Sequence, residues 1–236
     1  MSAAEILSEL ETMGNESTKQ MLMRNHGVKE PCFGVKIGDM KAIVKRVRVD
    51  HQLALDLYDS GNYDAMYLAG LIADDAKMTK RDLQRWASRA YGGSLPGTTV
   101  ASVAAGGRYG WEIGLKWIES AKSTVASAGW ATLAALVAIK PDGELDTRAL
   151  EKLIGRVQKE IAGAPDDVRY QMNGFLIAVG SYVADLTAVA ISTGEKIGPV
   201  EADLGNNSCR IPFAPDYIRK VEARGSIGKK RKTVKC

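Results

Sequence analysis

Four segments of this chain consist almost entirely of small and aliphatic residues, at positions 69–73, 100–104, 133–137 and 175–179. Their centres recur roughly every 30 to 40 residues, which is the period of a two-helix repeat. A longer amphipathic segment with a charged outer face precedes each of them, so one unit comprises an outer helix and an inner helix that approach closely through Gly and Ala. The pattern predicts an all-α solenoid with a concave surface suited to an extended partner.

Start and stop signals predict helices along nearly the whole chain. Ser2 with Glu5, and Thr79 with Asp82, have the spacing of capping boxes, and Asp39 is positioned to cap a helix that starts at residue 40. No segment alternates apolar and polar residues between hairpin turns, so no sheet is predicted. Outside the small-residue segments, a first helix is predicted between Ser2 and Gly14, and a second short one after Ser17. Further helices are predicted at residues 40–49, 52–60, 81–91, 111–119 and 147–161, with stops at Gly61 and Gly93.

Composition excludes several classes of protein. With 45% hydrophobic and 25% charged residues, the 236-residue chain has the balance of a soluble globular protein. It has no apolar run near the roughly 20 residues that span a bilayer, and its start lacks the regions of a secretory signal, so we expect a cytoplasmic protein without a membrane partner. Nucleotide-binding glycine fingerprints are absent, and we expect no cofactor and no metal. The cysteines are odd in number, lack a CxxC pair and are predicted to be free thiols: Cys32, Cys209 and Cys236.

Positive charge is concentrated in two segments near the chain ends. Residues 211–236 hold eight basic and two acidic residues, a net charge of +6, whereas the whole chain carries +4. Residues 24–48 hold seven basic and two acidic residues, a net charge of +5. These two segments are the strongest indication of an anionic partner.

Within the first segment, Lys41, Lys45 and Arg48 follow i, i+4, i+7 spacing and form one stripe on the predicted helix, with Lys36 just before it. Such a line of cations neutralises successive phosphates, and we assign these four residues to DNA contacts. A solvated outer face is the alternative for this stripe.

We predict that the chain divides into a repeat domain at residues 1–218 and a basic arm at residues 219–236. The arm lies within the second basic segment. The run at 229–232 follows two glycines and has no apolar periodicity, which favours a flexible arm that contacts nucleic acid; a localisation signal or an anionic surface is the alternative. The arm residues assigned to DNA are Lys229, Lys230, Arg231 and Lys232.

Catalytic constellations are scarce. The two histidines supply too little for a hydrolytic triad or a multi-histidine metal site. Asp166 and Asp167 follow Pro165 and are interpreted as acids at a helix start rather than a catalytic pair. The four tryptophans are interpreted mainly as packing residues, although one or two could face the groove.

Several segments, in their order along the chain, resemble the DNA alkylation repair family. They are the connection at residues 33–35 before the basic helix, the Lys-Trp-Ile-Glu-Ser segment at 116–120, the helix at 168–180, and the closing segments at 209–218 and 225–232. That family comprises the AlkD-type DNA glycosylases built from HEAT-like repeats. The resemblance implies a curved HEAT-like solenoid that is similar to one holding duplex DNA, and release of cationic alkylated purines such as 7-methylguanine or 3-methyladenine.

The catalytic pattern of the AlkD-type enzymes does not carry over to this chain. Those enzymes place Trp and, four residues later, Asp on one inner helix, Arg on the next, and another aromatic residue later. Here no Trp is followed by Asp at that spacing, the corresponding helix at 98–105 has neither residue, and only Phe175 matches the later aromatic residue. Without a carboxylate, the positive charge that develops on the sugar is not stabilised.

We therefore predict no catalytic residues and a protein that binds duplex or branched DNA through the phosphate backbone. An active glycosylase is the first alternative, and it requires a relocated carboxylate, for which Glu112 beside Trp111 is the candidate. A protein-binding scaffold is the second alternative, because helical solenoids also bind peptides on the same surface.

Overall fold

A computed structural model describes residues 1–92, 94–205 and 210–235, and within these ranges the chain is helical and contains no strand, which confirms the all-α prediction. Gly93, Cys209 and Cys236, which carried predictions, lie outside the described residues. The α-helices are α1 Ala3–Thr12, α2 Glu16–His26, α3 Ile37–Val47, α4 His51–Asp59, α5 Tyr63–Ile72, α6 Lys80–Arg89, α7 Ala101–Gly106, α8 Gly110–Trp117, α9 Ser123–Ile139, α10 Thr147–Glu160, α11 Asp166–Tyr182, α12 Thr187–Ile197 and α13 Ala214–Ala223.

The ends of most helices follow from local sequence. Both predicted capping boxes, at the starts of α1 and α6, are present. The predicted cap at Asp39 is wrong, because α3 begins at Ile37 with Lys36 as its N-cap and carries Asp39 in its first turn. The same helix ends at Val47, and Arg48 adopts φ 62° beyond it. The predicted stripe on α3 is therefore reduced to Lys41 and Lys45.

Small residues allow the inner helices to pack side by side. A π-helical segment, Leu95–Val100, runs into α7, and this continuous stretch lies between α5 and α9, while α9 lies against α11. At Gly70 a Cβ atom would lie 2.5 Å from Thr99 Cγ2, and at Gly180 it would lie 2.5 Å from Ile218 Cδ1. At Gly70 the neighbour is the β-branched Thr99 of the adjacent π-helical segment, so close packing of α5 against that segment depends on glycine there. At Gly180 the neighbour is the flexible end of Ile218 on α13.

Aromatic side chains fill the space behind the inner layer. Trp86, Trp117 and Trp130 are fully buried, and Trp86 stacks on Tyr58 with ring centroids 4.0 Å apart. Trp111 is half-buried on α8 and packs against the C-terminal part of the core. The interpretation of the tryptophans as packing residues is confirmed for these buried side chains.

Over the described part of the chain, no single helix is long and apolar enough to cross a bilayer. The helical segments Asp166–Tyr182 and Ala184–Ile197, joined by a sharp bend, together have a length and composition that could cross one, and nothing else indicates that they do. The same residues contain no group of three or more His, Cys, Asp or Glu side chains arranged to hold a metal ion.

Candidate nucleic-acid interface

Three clefts follow one another along the inner helices, and together their lining residues define the inner face. The N-terminal cleft, of about 240 Å³, lies between α2, α3 and the start of α5. The central cleft, of about 280 Å³, is formed by the π-helical segment with α7, α9, α11 and the chain end. The C-terminal cleft, of about 410 Å³, lies between α11, α13 and residues 226–229. The central and C-terminal clefts share Gly174, Ala178 and Tyr182 on α11, so they are continuous.

A buried carboxylate fixes the basic segment at the N-terminal end. Asp64, on α5, is 1% exposed and accepts hydrogen bonds from the backbone N–H groups of Phe33, Gly34 and Val35, at 2.6, 3.2 and 2.8 Å. These residues lead directly into α3. A charged acceptor shared by three N–H donors is a strong local constraint, so Asp64 positions the start of the basic helix.

Lys36 lines the N-terminal cleft together with tyrosine rings. Burial raises the pKa of the Tyr63 phenol to about 12, so this ring stays neutral at physiological pH. The cleft is predominantly apolar, with Met21, Met40 and Tyr67 among its lining residues. Its chemistry suits an aliphatic or ring surface with an anion beside Lys36.

The central cleft has a floor of small side chains. Its lining residues on α7, α9 and α11 are mostly alanine and glycine, and they include no carboxylate. The polar groups at its surface are Thr98, Ser102, Gln171 and Arg231. Because the side chains are short, a ligand can approach the helix backbones closely here.

The chain end crosses the C-terminal ends of three inner helices. The Lys230 ammonium donates to the carbonyl oxygens of Val137 at 2.9 Å and Tyr182 at 2.6 Å, which belong to the last turns of α9 and α11. It also lies 2.7 Å from Asp142 Oδ1. The Arg231 N–H donates to Ala138 O at 2.7 Å. Cations stabilise helix C-termini by satisfying free carbonyls and complementing the helix dipole.

Lys235 makes a similar contact at α5. Its ammonium donates to Ala73 O at 2.8 Å and forms an ion pair with Asp75, 2.7 Å from Oδ1. Burial raises the pKa of the Asp75 carboxyl, and the nearby Lys235 opposes that shift. Residues 228–235 therefore do not form the free, flexible segment expected from sequence, because backbone and ammonium groups attach them to α5, α9 and α11.

Comparisons with known proteins agree with this architecture. Residues 6–202 match the family described as DNA alkylation repair enzyme. The chain belongs to the DNA alkylation repair family. Uncharacterized proteins of Listeria innocua and Listeria monocytogenes are similar to it, at 31% and 30% identity over 92% of this chain and 96% of theirs. A solved structure with 34% identity and a TM-score of 0.91 covers all of both chains; its protein belongs to a family related to the HEAT-like repeat DNA glycosylases, with affinity for branched DNA structures.

This member of the DNA alkylation repair family has the HEAT-like fold predicted from sequence. Its predicted DNA-contacting residues have different surroundings. The solvent-exposed ones comprise Lys36 at the N-terminal cleft, Lys229 at the C-terminal cleft and Arg231 at the central cleft, together with Lys41, Lys45, Arg48 and Lys232. Lys230 instead points into the protein and binds helix carbonyls.

The residues weighed for chemistry do not assemble into a catalytic site. Glu112 lies on the outer helix α8 and is paired with Lys80 at 2.5 Å. Phe175 is fully buried against Trp130, with ring centroids 5.2 Å apart. Asp166 and Asp167 occupy the first turn of α11, as predicted.

Sequence reasoning missed part of the C-terminal cleft. Tyr217 and Val221 line it from α13, and Arg224, the C-cap residue just beyond that helix, lines it beside them; the three follow i, i+4, i+7 spacing. That spacing was the available signal, since it places an aromatic ring, an aliphatic side chain and a cation on one helix face.

Proposed function

We propose that this protein binds DNA by its sugar-phosphate backbone along the inner face, without standard glycosylase chemistry. The observation that carries the proposal is the central cleft. Its small-residue floor lacks a carboxylate among the described lining residues, while exposed cations line clefts on either side of it. The inner face thus offers close approach and phosphate neutralisation, and its central cleft offers no carboxylate to stabilise a sugar cation. The Asp64 carboxylate at the N-terminal cleft is buried and accepts hydrogen bonds from three backbone N–H groups.

Electrostatics supports a backbone-directed mode of binding. Lys36, Lys41 and Lys45 near the N-terminal cleft, and Lys229, Arg231 and Lys232 near the other end, are solvent-exposed. Cations of this kind contact phosphates without reading bases, so affinity is expected to depend strongly on salt and weakly on sequence. Since the similar solved structure is of a protein from a family with affinity for branched DNA, a junction is the preferred substrate in this proposal.

The test is fluorescence anisotropy with three labelled probes of matched length: a blunt duplex, the same duplex with a 7-methylguanine analogue, and a four-way junction. Titrations at low and near-physiological salt are expected to give salt-dependent binding to all three, tightest for the junction. Absence of binding to every probe at low salt overturns the proposal and favours the alternative of a protein-binding scaffold.

A base-release assay on the methylated duplex separates binding from catalysis. We expect no release, because the only carboxylate weighed for the role, Glu112, is ion-paired on an outer helix. Release that Glu112→Gln abolishes would contradict the non-catalytic reading and establish the glycosylase alternative.

A further inference from the structure

The C-terminal cleft has a ligand chemistry that backbone binding does not explain. Its volume of about 410 Å³ falls within the range of small-molecule sites, roughly 300 to 1,000 Å³. Helix α11 supplies its floor and α13 one wall, and residues 226–229 of the chain end border it. It is continuous with the central cleft, so a ligand here meets the end of the inner face.

Two aromatic rings and two cations converge on this cleft. Tyr217 is 47% exposed, so its ring is accessible to a ligand, and Tyr182 is half-buried. Arg224 and Lys229 are exposed and have no ion pair among the described residues. No carboxylate lines the cleft in the described part of the chain. The combination suits a planar ring next to an anion.

A buried polar group adds to this chemistry. Ser181 is 3% exposed and lines the cleft, and its hydroxyl has no hydrogen-bond partner within the described ranges. Buried hydroxyl groups are ordinarily paired, so this one at the cleft wall is an exception among the described residues.

Backbone contacts hold the walls in place without a ligand. Gly228 N–H donates to Ser181 O at 2.9 Å, and Ser226 N–H donates to Val221 O at 3.1 Å. Lys230, with its ammonium on Tyr182 O, follows directly. Lys229 therefore stands between two anchored residues, and the site is organised before binding, which lowers the entropic cost of capture.

We propose that this cleft binds one unpaired nucleotide, with its base against the Tyr217 ring and its phosphate between Arg224 and Lys229. The inference rests on the proposed DNA-binding function and specifies which part of the DNA this end receives. Paired bases in the interior of a duplex are stacked on both faces and cannot present a ring face to Tyr217, whereas unpaired nucleotides at gaps, flaps and open junctions can. The site thus favours DNA with exposed single-stranded nucleotides.

The experiment compares two probes of equal duplex length, one blunt and one with a three-nucleotide single-stranded tail, by anisotropy with the full chain. The native protein is expected to bind the tailed probe several-fold more tightly. Tyr217→Ala should remove that preference, reducing affinity for the tailed probe by the same several-fold factor, about what the loss of one base stacked on an aromatic ring costs. Affinity for the blunt probe should stay within twofold, and Tyr217→Phe should retain the preference.

Matched controls come from exposed residues outside the cleft. Tyr170→Ala removes an exposed tyrosine that lies on α11 outside the cleft. Arg148→Ala with Lys152→Ala removes two exposed cations of α10. Neither should change the preference, whereas Arg224→Ala with Lys229→Ala should reduce it. Circular dichroism confirms that each variant is folded.

The outcomes distinguish a failure of the unpaired-nucleotide site from a failure of the proposed DNA-binding function. Equal binding of both probes by the native chain, or equal weakening of both by Tyr217→Ala, overturns the unpaired-nucleotide site while leaving backbone binding intact. Failure of the native chain to bind either probe at low salt overturns DNA binding itself.

Discussion

The two basic segments of this protein are attached to the inner helices by opposite chemistry. At the N-terminal end, the Asp64 carboxylate accepts three backbone N–H groups just before α3, and the lysines of that helix stay exposed. At the C-terminal end, the lysines themselves serve as attachments, because Lys230 and Lys235 donate to helix carbonyls. Similar local charge therefore has different uses. The lysines of α3 face solvent while Arg46 pairs with Glu9 of α1, and in the second segment lysines also bind helix carbonyls.

The difference shows that a cation is available to a ligand only where no nearby backbone carbonyl without a hydrogen-bond partner binds it. Helix α3 satisfies its own backbone, so its polar face is free to carry charge outward. The chain end has little regular structure and runs past unpaired carbonyls at the ends of α9 and α11, where an ammonium is strongly favoured. Alternate residues then point inward and outward, with Lys230 attached and Lys229 and Arg231 exposed.

The largest effect is expected from Asp64→Asn. The amide keeps one acceptor oxygen and turns an NH₂ group toward backbone donors, so buried N–H groups lose their partner, at a cost of about 3 kcal/mol in the free energy of unfolding. Urea unfolding followed by circular dichroism measures this cost. Asp39→Asn, an exposed acid in the first turn of α3, is the control and should stay within about 0.5 kcal/mol. A similar free energy of unfolding for both variants would mean that Asp64 does not hold the backbone before α3.

Lys230→Met tests the other attachment. It removes the donor to two carbonyl groups and the partner of Asp142, while methionine keeps most of the aliphatic volume. We expect a loss of about 2 kcal/mol in the free energy of unfolding. Lys232→Met, two residues along and exposed, should be close to neutral. If the two substitutions have equal effects on unfolding, the chain end is not anchored in solution.

Most of the fold was predictable because its determinants are local. Capping boxes are read from residues three apart, and the small-residue segments mark the inner helices directly. The end of α3 was not predictable in the same way: residues 48 and 49 are compatible with helix, yet Arg48 turns to φ 62° before the cap of α4. The predicted stripe lost its third member for that reason.

The site was less predictable because its contacts are distant in sequence. Lys230 meets Val137 across 93 residues and Lys235 meets Ala73 across 162, and no local pattern distinguishes Lys230 from Lys229. By contrast, the i, i+4, i+7 spacing of Tyr217, Val221 and Arg224 is a local pattern, and it predicts that an aromatic ring and a cation share one helix face.

Lys41→Ala with Lys45→Ala sharpens the contrast between exposed and anchored lysines. Both side chains are exposed on α3, so stability should change by less than about 0.5 kcal/mol. If each contacts one phosphate, the slope of log affinity against log salt should flatten by about 1.8 in total, since one contact contributes about 0.9 for duplex DNA. Lys230→Met should leave this slope unchanged. An unchanged slope in the α3 variant would remove that helix from the interface.

Among the variants that remove an attachment to the inner helices, the smallest loss of stability is expected from Lys235→Met, and it depends on pH. Burial already raises the pKa of the Asp75 carboxyl, and loss of the Lys235 ammonium raises it further. A carboxyl with a raised pKa in the folded state favours folding when protonated and loses that contribution as pH rises through the folded pKa. The variant should therefore be about 1 kcal/mol less stable than the native chain at neutral pH, and the difference should shrink as the solution is acidified.

Urea unfolding of both chains between pH 7 and about pH 4 measures this trend, with Asp75→Asn in the variant background expected to abolish it. A difference that stays constant with pH would mean that Lys235 acts on the Ala73 carbonyl alone, and that its pairing with Asp75 contributes nothing to holding the chain end against α5.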